Sequence, residues 1–362
     1  MKIPIDDAAV GTRLDKLLVL KVPGLGRAAA KRLFDEGRVR VVVGEGGRGR
    51  RALKGDVARA GEVLDVDVDP HATTGAVADP DAPLEVVLEL PSLVILDKPA
   101  GQPTAPISPG ERGTLANALV ARYPEVEGIG FSPREPGLVH RLDTETSGLV
   151  LAARTAEAFA VLSTALRGTA KADPHPASAG TTNADPRSQL SRTEKDDSGA
   201  SSKEGRFDKR YLLLCEALDL PERGTIAIPL APHPKDRRRV YPCVHPRDVA
   251  RYAPRPALTT YSIVSVHGRW ALVEARAAKA SRHQIRAHFA AIGHPLAGDT
   301  LYGGEVVAGL LRHALHAHYL AWSGDSKVPA FCVQSPLPPD MAELIADVEP
   351  GSQGAKETPA ET

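Results

Sequence analysis

No apolar run in the 362 residues approaches eighteen, so a transmembrane helix is not expected. The opening Met1-Lys2-Ile3-Pro4-Ile5-Asp6-Asp7 lacks the apolar stretch of a secretory signal. Cysteine is scarce: Cys215, Cys243 and Cys332 are odd in number, far apart and without a C-x-x-C pair. That excludes a disulfide framework or a cysteine-based zinc knuckle and points to a reducing cytoplasm. Net charge is also lacking, with 45 basic residues against 45 acidic ones, so the chain is not basic throughout. No internal repeat is visible. What remains is 42% hydrophobic and 25% charged residues, the composition of a chain that buries a core, in a length suited to two domains.

The neutrality is a sum of opposed segments. Residues 21–59 carry eleven Lys/Arg and four Asp/Glu, residues 69–167 seven and thirteen, residues 207–318 sixteen and nine. Two basic stretches flanking an acidic one suggest two surfaces for a polyanion.

Composition also marks three stretches unsuited to a core. Residues 69–83, rich in Pro, Ala and Asp, read as a linker. Residues 168–206 hold a single large aliphatic, Leu190, before Phe207. Such a segment cannot offset its ordering entropy, which predicts a disordered insertion within a domain. Residues 350–362 read as a disordered tail. Between them, residues 1–68 form a small domain and 84–349 a larger one.

In the small domain, Leu14, Leu17 and Leu18 follow helical spacing. A second helix is expected over residues 28–36, capped by Gly37, then strands over 38–43 and 61–68. Arg27, Lys31, Arg32 and Arg38 suit the phosphates of RNA. Arg13-Leu14-Asp15, the Gly26-Arg27 turn and Gly37-Arg38-Val39-Arg40-Val41 make this segment resemble the S-four-like (αL) RNA-binding domain.

In the larger domain, Leu93-Val94-Ile95-Leu96 leads into Asp97-Lys98-Pro99-Ala100-Gly101, a turn expected to carry the lysine to a sheet rim. A helix is expected over residues 114–122 and again over 281–292. Strands are expected at 137–140, 148–152, 209–216, 224–230, 237–244, 257–267 and 269–277. The polar loop 141–147 joins two of them, a position where scaffolds present reactive groups. On its own, Asp143 there fits an Asx-turn as well as a catalytic role.

The company that Asp143 keeps changes that balance. His140-Arg141-Leu142-Asp143-x-x-Thr146-Ser147-Gly148-Leu149 resembles the signature of the RluA-type pseudouridine synthases, which isomerise uridine in ribosomal and transfer RNA. Further blocks stand in the family's order around it: Asp97-Lys98-Pro99-Ala100-Gly101, Lys209-Arg210-Tyr211-Leu212, His283-Gln284-Ile285-Arg286-Ala287-His288, Gly293-His294-Pro295 through Asp299 to Gly303, and Ala314-Leu315-His316-Ala317. The resemblance implies an α+β catalytic domain with a mixed, mostly antiparallel sheet and flanking helices. It implies Asp143 as nucleophile, Tyr211 stacked on the target base, Arg286 paired with Asp143, and Arg141 filling the gap left by the extruded nucleotide. The three catalytic residues are then expected within contact range. The carboxylate has two chemically sound targets, the sugar's anomeric carbon and the uracil ring.

The resemblance implies no cofactor and no metal, RNA as partner, and a monomer. Large-subunit ribosomal RNA is the favoured substrate, and transfer RNA the alternative. Two departures stand out: Ala280-Ser281-Arg282 where the family has Gly-Arg-Thr, and Gln102-Pro103-Thr104-Ala105-Pro106 where it has an apolar run and a histidine.

Two rival readings are weaker. A histidine metal site is disfavoured, because His283 and His288, five apart, do not share a helix face. A non-catalytic RNA-binding assembly factor is disfavoured because Asp143, Tyr211 and Arg286 are all present.

Overall fold

The computed structural model describes residues 1–22, 25, 27–43, 49–67, 75–168, 205–277 and 280–346. The expected insertion 168–206, apart from its edges, and the tail 350–362 lie outside the described residues. The chain divides into two compact units, Met1–Phe159 and Ala160–Thr362.

The first unit opens with β1 (Lys2–Pro4), α1 (Leu14–Lys21), α2 (Arg27–Asp35), β2 (Val39–Val43), β3 (Arg50–Arg51) and β4 (Glu62–Val66). The strands form an antiparallel sheet in the order β1-β4-β2-β3. Leu14, Leu17 and Leu18 are buried as their spacing predicts, against Leu33, Phe34, Val39, Val41, Leu64 and Val66. Among the described residues this core draws on residues 3–66. Helix α2 is closed by Arg38 N–H donating to Leu33 O at 2.9 Å, around Gly37.

Residues 75–83 differ from the linker expected there. Asn117 Nδ2 donates to Val77 O at 2.7 Å, Gly113 N–H to Asp79 Oδ2 at 2.9 Å, and Gln102 Nε2 to Pro83 O at 2.9 Å. Polar side chains from α3 (Leu115–Arg122) and its neighbouring loops thus supply what the segment lacks in apolar residues. β5 (Glu85–Glu89), β6 (Leu93–Lys98) and β7 (Ser147–Ala153) follow as antiparallel neighbours. Every residue of β7 is buried, as befits a strand covered on both faces.

The strand expected at 137–140 does not form. Gly137 has φ +66°, and a Cβ there would lie 2.7 Å from Ala153 O. The segment meets β7 in an isolated bridge, Leu138 to Ala152, with Val139 N–H donating to Leu151 O at 3.0 Å and Ala153 N–H to Gly137 O at 2.8 Å. Close backbone approach at a left-handed glycine takes the place of a ladder. Helix α4 (Ala156–Gly168) then contains the division between the units.

The second unit contains β8 (Phe207–Glu216), β9 (Arg223–Ile226), β10 (Leu230–Pro232), β11 (Val240–Pro242), α5 (Pro246–Tyr252), β12 (Thr259–His267), β13 (Trp270–Arg276), α6 (Gln284–Ala291), β14 (Leu315–Trp322), β15 (Phe331–Gln334) and α7 (Pro339–Ala346). Strands run in the order β14-β8-β13-β12-β9, with β15 on β14, through antiparallel ladders. The strand expected at 224–230 is two, β9 and β10, separated at 227–229, where Pro229 cannot donate to a ladder. Helix α6 begins at Gln284, three residues later than expected, because His283 adopts φ +54°. Among the described residues no helix is long and apolar enough to cross a membrane.

Candidate active site

In the first unit, Asp143 is half-buried on the loop between the Gly137 segment and β7. Its carbonyl accepts from Thr146 N–H at 3.1 Å, closing a tight turn. The loop is held from beneath. Thr104 Oγ1 donates to Leu142 O at 2.7 Å and accepts from Leu142 N–H at 3.2 Å. Lys98, expected at a sheet rim, is instead fully buried, its ammonium donating to Pro99 O, Gln102 O and Thr144 O at 2.8, 2.9 and 3.0 Å. Three donors meet three carbonyls, which joins the 99–102 turn to the loop that carries Asp143. His140 Nε2 accepts from Leu151 N–H at 3.2 Å, anchoring the other end of the motif to β7.

Arg141 is exposed and pairs with Glu135 at 3.0 Å. It lines a recess with Ala105, Pro106, Ile107, Pro133 and Arg134.

In the second unit, Tyr211 lies buried on β8 opposite Ala275 of β13. On β8's other neighbour, the β14 register shifts between His316 and Tyr319, so the ladder is irregular beside Tyr211. Bulges of this kind collect next to active sites. Arg286, on the first turn of α6, is buried and gripped in a fork by Asp299: Nε to Oδ2 and Nη2 to Oδ1, both 2.7 Å. Its guanidinium also lies 5.1 Å from the centre of the Tyr302 ring. Asp299 follows Gly298, whose φ is +74° and where a Cβ would fall 2.0 Å from Arg312 O. Only glycine brings the chain close enough there to aim Asp299 at Arg286. Asp143 belongs to the first unit, Tyr211 and Arg286 to the second.

Lys98, Thr104 and Asp299 play their parts without standing out in the sequence as site residues. Asp299 and Lys98 lie inside the motif blocks, but a motif string does not say which side chain another one holds. Arg282, displaced relative to the family pattern, donates to Arg237 O at 3.1 Å and Arg238 O at 2.8 Å, tying the turn before β11 to the start of α6. His288 is bonded to Thr259 Oγ1 and Ile228 O, both at 2.9 Å, which gives it a structural part.

Of the residues expected to meet RNA phosphates, Lys31 and Arg32 are exposed on α2. Lys31 lies 4.0 Å from Asp35, and Arg38 lies 3.7 Å from Glu36 and 3.4 Å from Asp67. Such exposed pairs contribute little and exchange readily for another anion. Arg27 begins α2, and its side chain lies outside the described residues.

Residues 92–172, which include the whole Asp143 loop, match the family model for RNA pseudouridylate synthase. An RNA pseudouridine synthase of Chloroflexus aurantiacus is 32% identical over 338 residues, covering 93% of this chain and 90% of its own. The chain belongs to the RNA pseudouridine synthase family. Enzymes of this family are isomerases. The ribosomal large subunit pseudouridine synthase D of Xanthomonas campestris is 28% identical, covering 98% of this chain and 94% of its own. Among solved structures, human RNA pseudouridylate synthase domain containing 1 is similar at 22% identity and a TM-score of 0.48, over 72% of this chain and 86% of that one.

One consequence for stability arises in the second unit of this family member. Burial pushes the His316 imidazole down to about 4 from an ordinary 6.5, against a hydrogen bond with the Ser335 backbone. Between those values the unfolded chain binds a proton that the folded chain refuses, so stability falls as pH drops from 6.5 to about 4. The loss is about 3 kcal/mol. Denaturant titrations at both pH values should show it in the wild type and show it reduced in His316→Gln.

Proposed function

We propose that the chain is a cofactor-independent, cytoplasmic RNA pseudouridine synthase, with Asp143 as nucleophile and large-subunit ribosomal RNA as substrate. The reaction breaks the bond from C1′ of the ribose to N1 of uracil and forms one from C1′ to C5. The C5 proton leaves and N1 gains one, so the base is isomerised without a co-reactant. The observation that carries this reading is the clamped loop: the half-buried Asp143 sits in the matched segment, on a backbone held by Lys98 and Thr104. A nucleophile must be held in place to attack and be released.

Tyr211 is assigned to the face of the target base, Arg286 to the charge of Asp143, and Arg141 to the gap left by the extruded nucleotide. The preference for large-subunit RNA draws on relatives named large subunit pseudouridine synthase D. Transfer RNA is the second substrate to be tested. Three cysteines without a disulfide suit a reducing compartment. The deciding experiment maps pseudouridine in ribosomal and transfer RNA from cells with and without the protein. Loss of one or more large-subunit sites is expected, and an unchanged map would reject the proposal.

Residues 1–68 are assigned as an S-four-like RNA-binding domain, supported by two helices on a small sheet with a core of their own. Reversing the charges of Arg27, Lys31, Arg32 and Arg38 should weaken RNA binding and lower the salt slope by roughly one unit for each phosphate no longer neutralised. Titrations between about 50 and 200 mM salt measure this. An unchanged slope would make the domain a docking module for something other than RNA.

A further inference from the structure

The described residues include four buried lysines and arginines: Lys98, Lys209, Arg286 and Arg312. Three are visibly compensated. Lys98 has its three carbonyls, Arg286 has Asp299, and Arg312 has Asp340 with the carbonyls of His313 and Leu315. Lys209 is 8% exposed; its ammonium keeps slight contact with solvent, and among the described residues no acceptor or carboxylate pairs with it. Burial alone acts on it, pushing it down to about 8, which leaves it cationic at neutral pH. A cation drawn this far from water without a counter-charge costs stability and calls for another explanation.

Its place on β8 offers one. The burial pattern alternates so that Lys209, Tyr211 and Leu213 face one side. Arg210, on the other side, is neutralised by Asp208 at 2.6 Å and Glu274 at 3.6 Å. Beside this stretch the β14 ladder shifts register. Lys209 therefore shares a face with the residue assigned to the target base, two positions away.

The chemistry needs a cation on that side. If the carboxylate attacks C1′, the electron pair of the broken bond to N1 leaves with the uracil and spreads onto O2 and O4. If it attacks the ring, the pair moves onto a carbonyl oxygen as an enolate. Either way the pyrimidine carbonyls become negative before the new C1′–C5 bond forms. We infer that Lys209 is a further catalytic residue, whose ammonium donates to a carbonyl oxygen of the target uracil and holds that charge. It keeps its proton throughout; the C5 proton goes to solvent and N1 takes one back. The inference rests on reading Tyr211 as base-facing.

The test is tritium release from RNA labelled at uridine C5, in a single turnover, beside RNA binding and thermal melting. Lys209→Met should melt at or above the wild-type temperature, bind RNA within twofold, and react about 100-fold more slowly, as when one donor to a developing oxyanion is removed. Lys209→Gln, which keeps a neutral donor, should fall between. A rate within threefold of wild type in Lys209→Met overturns the inference, and so does a lower melting temperature with rate and binding falling in step. Tyr211→Ala separates the two readings. If it is slow while Lys209→Met is normal, only the role of Lys209 falls. If Tyr211→Ala reacts normally, the assignment of the β8 face falls and takes the inference with it.

Discussion

Asp143→Asn is expected to bind RNA as the wild type does and to form no detectable pseudouridine, a loss of at least about 10⁴-fold. The amide is nearly the same size as the carboxylate, and the hydrogen bonds that hold the main chain at residues 142–144 do not use the side chain of Asp143. The Thr146 turn uses the carbonyl of residue 143, while Lys98 and Thr104 grip the backbone of residues 144 and 142. The substitution therefore removes the carboxylate proposed as nucleophile and leaves its platform. Melting temperature and RNA affinity should stay within experimental scatter, and pseudouridine counted after nuclease digestion should vanish. Normal turnover in this variant would reject the carboxylate as nucleophile, whichever carbon it was thought to attack.

Asp299→Ala should have the largest effect on stability. It takes from the guanidinium of Arg286 two hydrogen bonds and a counter-charge in a place where Asp299 is 2% exposed. Breaking one partner of a buried pair costs about 3–5 kcal/mol. The shift in denaturant midpoint measures it, and a change under about 1 kcal/mol would show that Arg286 finds compensation elsewhere. Replacing both residues, Arg286→Met with Asp299→Leu, should recover most of that stability, because a buried ion pair is seldom better than well-packed apolar groups. Activity should not return, because Met supplies no charge. Stability regained without activity would separate the structural from the functional duty of Arg286.

The elements legible in the sequence were those whose burial is one-sided or complete. Leu14, Leu17 and Leu18 mark α1, and β8, β12 and β13 begin and end within about two residues of expectation, because runs such as Leu212-Leu213-Leu214 have few other ways to be buried. Elements built on polar detail were misread or missed. Helix α5 is capped by His245, whose ring accepts from Arg247 N–H at 3.2 Å, a cap that ordinary preferences do not flag. Residues 75–83 read as a linker because their partners, Asn117 and Gln102, stand up to forty positions away. For the candidate site, motif strings single out Asp143, Tyr211 and Arg286, since residue types with reactive groups announce themselves. They did not reveal that Lys98 serves the loop or that Asp299 holds the arginine. Those are statements about distance, and only folding makes them.

The acceptors that Lys98 uses are main-chain oxygens, which every residue type carries. The grip on the Asp143 loop is therefore indifferent to which side chains occupy positions 99, 102 and 144. Thr104 works differently: it holds Leu142 through its own hydroxyl, so that second grip depends on the side chain at position 104. A loop fastened this way tolerates changed side chains at three neighbouring positions, so long as a lysine stays at position 98 and a hydroxyl at position 104.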